Sequence, residues 1–258
     1  MNYGLYVSAG GMRAQEARQA VVTNNLANSK TVGFKRDLAM IQARANAAYE
    51  DPRMRGYRMP PFSDQGGGVT LQSGGIDLTQ GMLETSRSAT DVALQGRGFF
   101  TVGGKGSETH GGKLLTRDGR FLKAADGSLV TADGGRPVLD DAGQPIVLNP
   151  NLGVTIDENG VIRQGEGAGV KLGVVDVKDP RKIVKLGQNL LTTSEAADVV
   201  EAKSDTQVLQ YHTEASSVDP TAEIVNIMEG MRAFEANARM ISYTDQTMSQ
   251  LNTVGRVA

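Results

Sequence analysis

Apolar residues in this chain follow two different rhythms, one at the ends and another in the middle. Near the C-terminus, Ile224, Ile227, Met231, Phe234, Ala238, Ile241 and Met248 fall on alternating three- and four-residue steps, interrupted once by Asp245. That spacing draws one apolar lane along a helix and predicts one from about Ala222 to Leu251. From Tyr3 to Asn28 there is no proline, and no glycine after Gly11, while Ala, Gln, Arg and Met are frequent. A second helix is predicted there. Its apolar positions are Leu5, Ala9, Met12, Val22 and Leu26, with Val7, Ala14, Ala17 and Val21 on a neighbouring lane. These side chains are mostly small. Asn, Ser, Thr and Gly cluster at residues 28–33 and should stop the helix.

Between the ends the period changes. Residues 37–90 form an extended connector in this reading, with Pro52, Pro60, Pro61 and the run Ser63–Gly68 as breaks. A short helical piece is expected over Leu38–Tyr49, where alanine is dense, and strands at Ile76–Leu78 and Met82–Thr85. From Asp91 to Gln207, short apolar runs alternate with turn signals. Strands are expected at Val92–Leu94, Phe99–Val102, Leu114–Arg117, Phe121–Ala124, Leu129–Thr131, Ile146–Leu148 and Val154–Ile156. Val161–Arg163, Lys171–Val177, Ile183–Leu186 and Val208–Tyr211 continue the series. Asp118-Gly119, Asp126-Gly127, Asp133-Gly134 and Asn159-Gly160 read as hairpin turns, because these residue types tolerate positive φ. The spacing fits a β-sandwich or small barrel, and Gln188–Lys203 reads as a loop with a short helical turn. The fold class is therefore α+β, with N- and C-terminal helices plus a mainly antiparallel β central domain. Its segments are 1–36, helix and motif; 37–90, connector; 91–207, β domain; and 208–258, return segment and C-terminal helix.

Composition sharpens this picture mainly by exclusion. Glycine makes up 32 of 258 residues, which suits a chain with many turns. A formal net charge of −2 gives no long-range attraction to nucleic acid or anionic membrane. No run approaches 18 apolar residues, so no membrane insertion is expected. The first residues, MNYGLYVSAGG, lack a basic region and a long apolar core, so export, if it occurs, is expected without signal-peptide cleavage.

Candidate chemistry is sparse. Cysteine is absent and the two histidines, His110 and His212, lie far apart in polar surroundings. A zinc site or a His-based triad is not expected. Gly96-Arg97-Gly98 precedes a strand rather than a helix, and Gly104-Lys105-Gly106-Ser107 lacks phosphate-loop spacing. Asp157-Glu158-Asn159 comes nearest to a calcium loop but reads better as a turn. Lys35-Arg36 with Arg53, Arg55 and Arg58 read as scattered, solvated charge. No enzyme and no cofactor is expected.

The end helices remain. They either pair within one chain as a stalk or interlock with neighbouring copies. The large knobs of the C-terminal lane match the small residues of the N-terminal one poorly, which favours interlocking. Asn226, Glu229, Arg232, Glu235, Asn237 and Arg239 border the lane and are placed to set register.

Four stretches, in order, resemble the bacterial flagellar rod and hook proteins. The first is Asn24-Asn25-Leu26-Ala27-Asn28 with Thr31, Gly33, Phe34 and Lys35. The second is Asp91-Val92-Ala93-Leu94, Gly96, Gly98-Phe99-Phe100 and Val102. The third is Thr116-Arg117-Asp118-Gly119 with Phe121, Asp126-Gly127 and Leu129-Val130. The last comprises Glu223-Ile224-Val225-Asn226, Arg232-Ala233-Phe234-Glu235-Ala236-Asn237 and Asp245-Gln246-Thr247-Met248. Two features depart from the pattern: Ser216-Ser217-Val218 replaces the usual Ser-Asn-Val, and Gly230 interrupts the C-terminal helix.

The resemblance implies a non-enzymatic subunit of the basal-body rod in the periplasmic space, exported unfolded by the flagellar type III apparatus, with the N- and C-terminal helices forming an inner coiled-coil layer and the β domain facing outward. Its implied partners are copies of itself, other rod subunits and adjacent rod or hook proteins. The implied assembly interface is Asn24, Asn25, Leu26, Asn28, Gly33, Phe34, Ile224, Ile227, Met231, Phe234, Asn237, Ile241 and Met248. Val218-Asp219-Pro220 and the start at Tyr3 and Tyr6 lean towards the proximal FlgF type over the distal FlgG type. The alternative reading is a monomeric β-rich binding module on a self-contained helical stalk.

Overall fold

A computed structural model describes residues 3–44, 68–72, 74–104, 113–165, 167, 169–193, 199–201 and 206–255. The expectations for Ala45–Tyr49, for His110 and for the connector's proline-rich part lie outside the described residues. The chain divides into two compact units.

The first unit contains both terminal helices. Helix α1 spans Tyr3–Ala27, the ribbon strands are β1 (Met40–Ala43) and β2 (Val69–Gln72), and helix α2 spans Pro220–Gly255. The start of α2 is chemically well specified. Asp219 accepts from Thr221 N and Ala222 N at 2.9 and 3.4 Å, Pro220 needs no donor partner, and Glu223 complements the positive end of the helix. The helical piece expected from Leu38 is corrected here. Met40–Ala43 is a strand paired antiparallel with Val69–Gln72, in register Met40↔Gln72 through Ala43↔Val69. Alanine's helix propensity amounts to tenths of a kcal/mol per residue, and the long-range ladder outweighs it.

The second unit holds residues 28–36 and 76–218. Its strands are β3 (Leu83–Thr85), β4 (Val92–Gln95), β5 (Phe99–Gly103), β6 (Lys113–Thr116), β7 (Phe121–Lys123), β8 (Leu129–Thr131), β9 (Thr155–Ile156) and β10 (Val161–Arg163). They continue as β11 (Val170–Lys171), β12 (Val174–Val177), β13 (Ile183–Gly187), β14 (Leu190–Thr193), β15 (Val199–Glu201), β16 (Gln207–Gln210) and β17 (His212–Glu214). A six-stranded antiparallel sheet runs β13-β14-β6-β5-β12-β15, with the shorter ladders β16-β4, β17-β3, β7-β8 and β11-β10-β9 beside it. Among the described residues the sheet is open rather than closed into a barrel.

Alternation along its central strands explains why both faces are buried. Phe100, Val102 and Leu114 face one core with Phe121, Leu129, Ile162 and Val208. Phe99 and Leu115 face a second core with Val177, Ile183 and Leu191. The Phe100 and Phe121 rings meet edge to face at 5.3 Å.

Asp126-Gly127 and Asn159-Gly160 join the paired strands β7-β8 and β9-β10, and Asp133-Gly134 turns β8 back to the bridging residue Pro137. Gly127, Gly134 and Gly160 have φ of 85°, 81° and 77°. Asp118-Gly119 does not make a hairpin, because β6 and β7 belong to different sheets. Gly119 is needed for space instead: a Cβ there would lie 1.7 Å from Val92 O. The loop expected at Gln188–Lys203 is also corrected, since β14 and β15 lie within it. The expected strand at Ile76–Leu78 shrinks to one bridging residue, Ile76, and Lys171–Val177 breaks at Gly173, whose Cβ would meet Thr101 Oγ1 at 2.2 Å.

Candidate assembly site

The helical unit has a polar seam of its own. In α1, Gly11 faces Asn237 of α2, with 3.1 Å between a Cβ built on the glycine and Nδ2. Gln15 faces Gly230, and Arg18 Nη2 donates to Asn226 Oδ1 at 3.4 Å. Numbers rise along α1 as they fall along α2, so the helices are antiparallel neighbours. The poor match expected between large and small lanes is avoided because α2 turns its small and polar side, Asn226, Gly230 and Asn237, towards α1.

That choice leaves larger side chains outside. Ile224, Met228 and Met231 lie on one stripe, at steps of four and three, and are 47%, 47% and 49% exposed. Val225, Phe234, Met240, Tyr243 and Leu251 are exposed as well. Of the lane read from the sequence, Ile227, Ala238, Ile241 and Met248 are half-buried, whereas Ile224, Met231 and Phe234 are exposed. An open groove of about 510 Å³ is lined by Ala9, Met12, Arg13, Glu16, Gln19, Phe234 and Ile241.

The motif after α1 serves a different purpose. Asn24 and Leu26 are exposed and half-buried, but Asn25 is almost fully enclosed and trades two 2.9 Å hydrogen bonds with the backbone of Asp37. Asn28 is half-buried, and its side chain and carbonyl both accept from Thr31. Gly33 and Phe34 are buried in the β unit. Gly33 has φ +70°, and a Cβ on it would lie 2.6 Å from the peptide joining Arg117 to Asp118. Lys185 Nζ sits 4.0 Å above the Phe34 ring. Asn25, Gly33 and Phe34 are thus used inside the chain's own fold.

The reading of Lys35 as solvated charge is corrected by burial. Its ammonium bonds Glu214 Oε1 at 2.5 Å and Thr79 O at 2.8 Å, with the Lys35 and Glu214 side chains 2% and 1% exposed. Arg117 Nη1 reaches the other carboxylate oxygen at 3.0 Å, while Nη2 donates to Gly96 O and the guanidinium lies over Phe99. Gly81 N donates to Glu214 Oε1, and Gly33 N to the Glu214 carbonyl. One carboxylate therefore fastens the segment following α1, the segment 79–81, the end of β6 and the strand preceding α2. Burial lowers the affinity of Lys35 and of Arg117 for their protons, and Glu214 offsets this only in part. Arg117 and Lys35 stand in the stretches that carried the family resemblance; Glu214, just outside them, had no local signal.

Among the described residues no group of acids, histidines or cysteines is arranged to hold a metal, and no helix is long and apolar enough to cross a membrane. The arrangement offers surfaces for packing and a buried fastening. Comparison with known proteins decides the family. Residues 5–35 match the flagella basal body rod protein family, 93–164 the D1 domain of the flagellar hook protein FlgE/F/G family, and 209–254 the C-terminal region of flagellar basal body rod FlgEFG proteins. Flagellar basal-body rod protein FlgF of Caulobacter vibrioides is 33% identical across 100% of both chains.

The chain belongs to the flagellar basal-body rod proteins.

Rod protein FlgG of Buchnera aphidicola from Schizaphis graminum is 30% identical over 96% of this chain and 98% of its own. FlgG of Agrobacterium fabrum is 31% identical over 95% and 96%. The rod family is structural rather than enzymatic, and it places the protein in the flagellar basal body.

Proposed function

We propose that this rod protein assembles on copies of itself and on adjacent rod or hook subunits through its terminal helices, and that the resulting shaft transmits torque. The observation that carries this is the stripe Ile224, Met228 and Met231, apolar and half exposed on a helix whose other side is already paired with α1. Isolated surface apolar residues need no explanation, but a stripe at helical spacing points to a packed neighbour. Phe234 extends that surface beside the groove, while Asn237, Ile241 and Met248 back it from the half-buried side. Ile227 supports it from the half-buried side. Asn24 and Leu26 contribute from the end of α1, and Asn25, Asn28, Gly33 and Phe34 fix the chain that leaves it. Export through the flagellar type III apparatus and a periplasmic position belong to the same proposal.

Within the family we favour the proximal FlgF type, since the Caulobacter FlgF relative aligns end to end on both chains. Basal bodies from a deletion strain test this by electron microscopy. Rods interrupted at the proximal segment are the expected result; rods complete to the distal end contradict it.

The rival reading, a monomeric β-rich module on a self-contained stalk, draws support from the pairing of α1 with α2 inside one chain. It requires motility to persist without the protein.

A further inference from the structure

We infer that, given the assembly through terminal helices proposed above, the groove between α1 and α2 receives the outer stripe of α2 from a second copy of this chain. Copies then join head to tail.

The two surfaces share no residue. Ala9, Met12, Phe234 and Ile241 line the apolar part of the groove, and Arg13 and Glu16 add one charge of each sign. The stripe is Ile224, Met228 and Met231. The same four- and three-residue steps continue it to Glu235 and then, in small side chains, to Ala238 and Ser242. Large side chains on one surface match a hollow of about 510 Å³ on the other. Stripe against stripe would set methionine on methionine and leave the hollow open.

Charge selects the direction. Arg13 and Glu16 stand three residues apart on α1, cation first, and Arg232 and Glu235 repeat that order and spacing beside the stripe. All four are exposed. An antiparallel approach puts Arg13 across from Glu235 and Glu16 across from Arg232, whereas a parallel one sets like charges together. The antiparallel register lays Met231 and Met228 against the Glu16–Gln19 end of the groove and carries Ala238 past Met12 and Ala9. Within one chain Glu235 lies 3.8 Å from Arg239, both side chains mostly exposed, and such a pair is weak. The matching charges belong to this chain itself, which assigns the occupant to a second copy. Groove and stripe are unlike surfaces, so every docked copy leaves one of each free and the contact extends in one direction instead of ending at a two-fold pair.

Charge reversal in the full-length chain tests this pairing, read by swimming in soft agar and by melting of the isolated chain. Arg13→Glu and Glu235→Arg should each abolish swimming, because like charges then face each other at every joint, and the double variant should restore it. Glu16→Arg and Arg232→Glu form a second couple with the same expected loss and rescue. Melting should stay unchanged throughout, since the pairs form between copies. Single variants that swim, a double variant of either couple as defective as its singles, or a melting loss that the double variant repairs overturns the inference. Ile224→Asp in the same assay separates the two readings. If it abolishes swimming while the reversals have no effect, assembly through α2 stands and only this pairing falls; if it swims, both fall.

Discussion

Gly33 and Arg117 are in van der Waals conflict with any substitution: a Cβ on Gly33 would sit 2.6 Å from the Arg117 carbonyl carbon. The glycine also holds φ at +70°. Gly33→Ala therefore meets two penalties, a left-handed backbone and a backbone clash. We expect a loss of about 2–4 kcal/mol, read as a lower denaturant midpoint with an unchanged slope.

Glu214 is the next point of failure. Glu214→Gln leaves the Lys35 and Arg117 cations buried against a neutral amide. Removing one partner of a buried ion pair costs about 3–5 kcal/mol. Thermal melting should show the loss, and Lys35→Met in the same chain should recover part of it. Equal melting of Glu214→Gln and wild type would contradict the fastening described above.

Stability should depend on alkaline pH through Lys35. Its folded pKa lies below the ordinary value of 10.5, so the unfolded chain binds the proton more tightly. Stability from this group is absent below the folded pKa, grows as pH rises through it, and is complete above 10.5. Denaturation of wild type and Lys35→Met in parallel isolates the effect from other titrating groups. Wild type should gain on the variant between neutral pH and pH 10.5.

Gly230 offers the opposite kind of change. A Cβ there meets nothing closer than Gln15 Oε1 at 3.9 Å. Gly230→Ala should therefore recover helix propensity, up to ~1 kcal/mol, visible as a higher melting midpoint of the helical signal. A lower midpoint would mean that the helices approach each other more closely than that spacing allows.

The terminal helices were legible because their signals are local: three- and four-residue steps in α2, proline-free helix formers in α1. The hairpins at Gly127, Gly134 and Gly160 were legible for the same reason. What escaped depends on distant partners. Met40–Ala43 carries helix-forming neighbours yet pairs with Val69–Gln72. Lys35 looks solvated until Glu214 and Arg117 are brought to it. The apolar lane of α2 was visible, but which side faces α1 was not. That side is marked by the close approach of Gly11 to Asn237, a contact between small and polar residues that a hydrophobic pattern ignores.

Substitutions on the outer stripe separate assembly from folding. Ile224→Asp and Met231→Asp should leave the melting of the isolated chain unchanged and abolish motility. Ile227→Asp and Ile241→Asp, half-buried on the inner side, should lower the helical midpoint as well.

Because the chain contains no cysteine, one introduced thiol reports on one position. Met228→Cys in intact basal bodies, treated with a short thiol cross-linker, examines the outer stripe of α2 directly. A covalent link from residue 228 to a neighbouring subunit, with the thiol protected from soluble maleimide, is the predicted result. A thiol at 228 that labels freely in assembled basal bodies and forms no link would contradict the account.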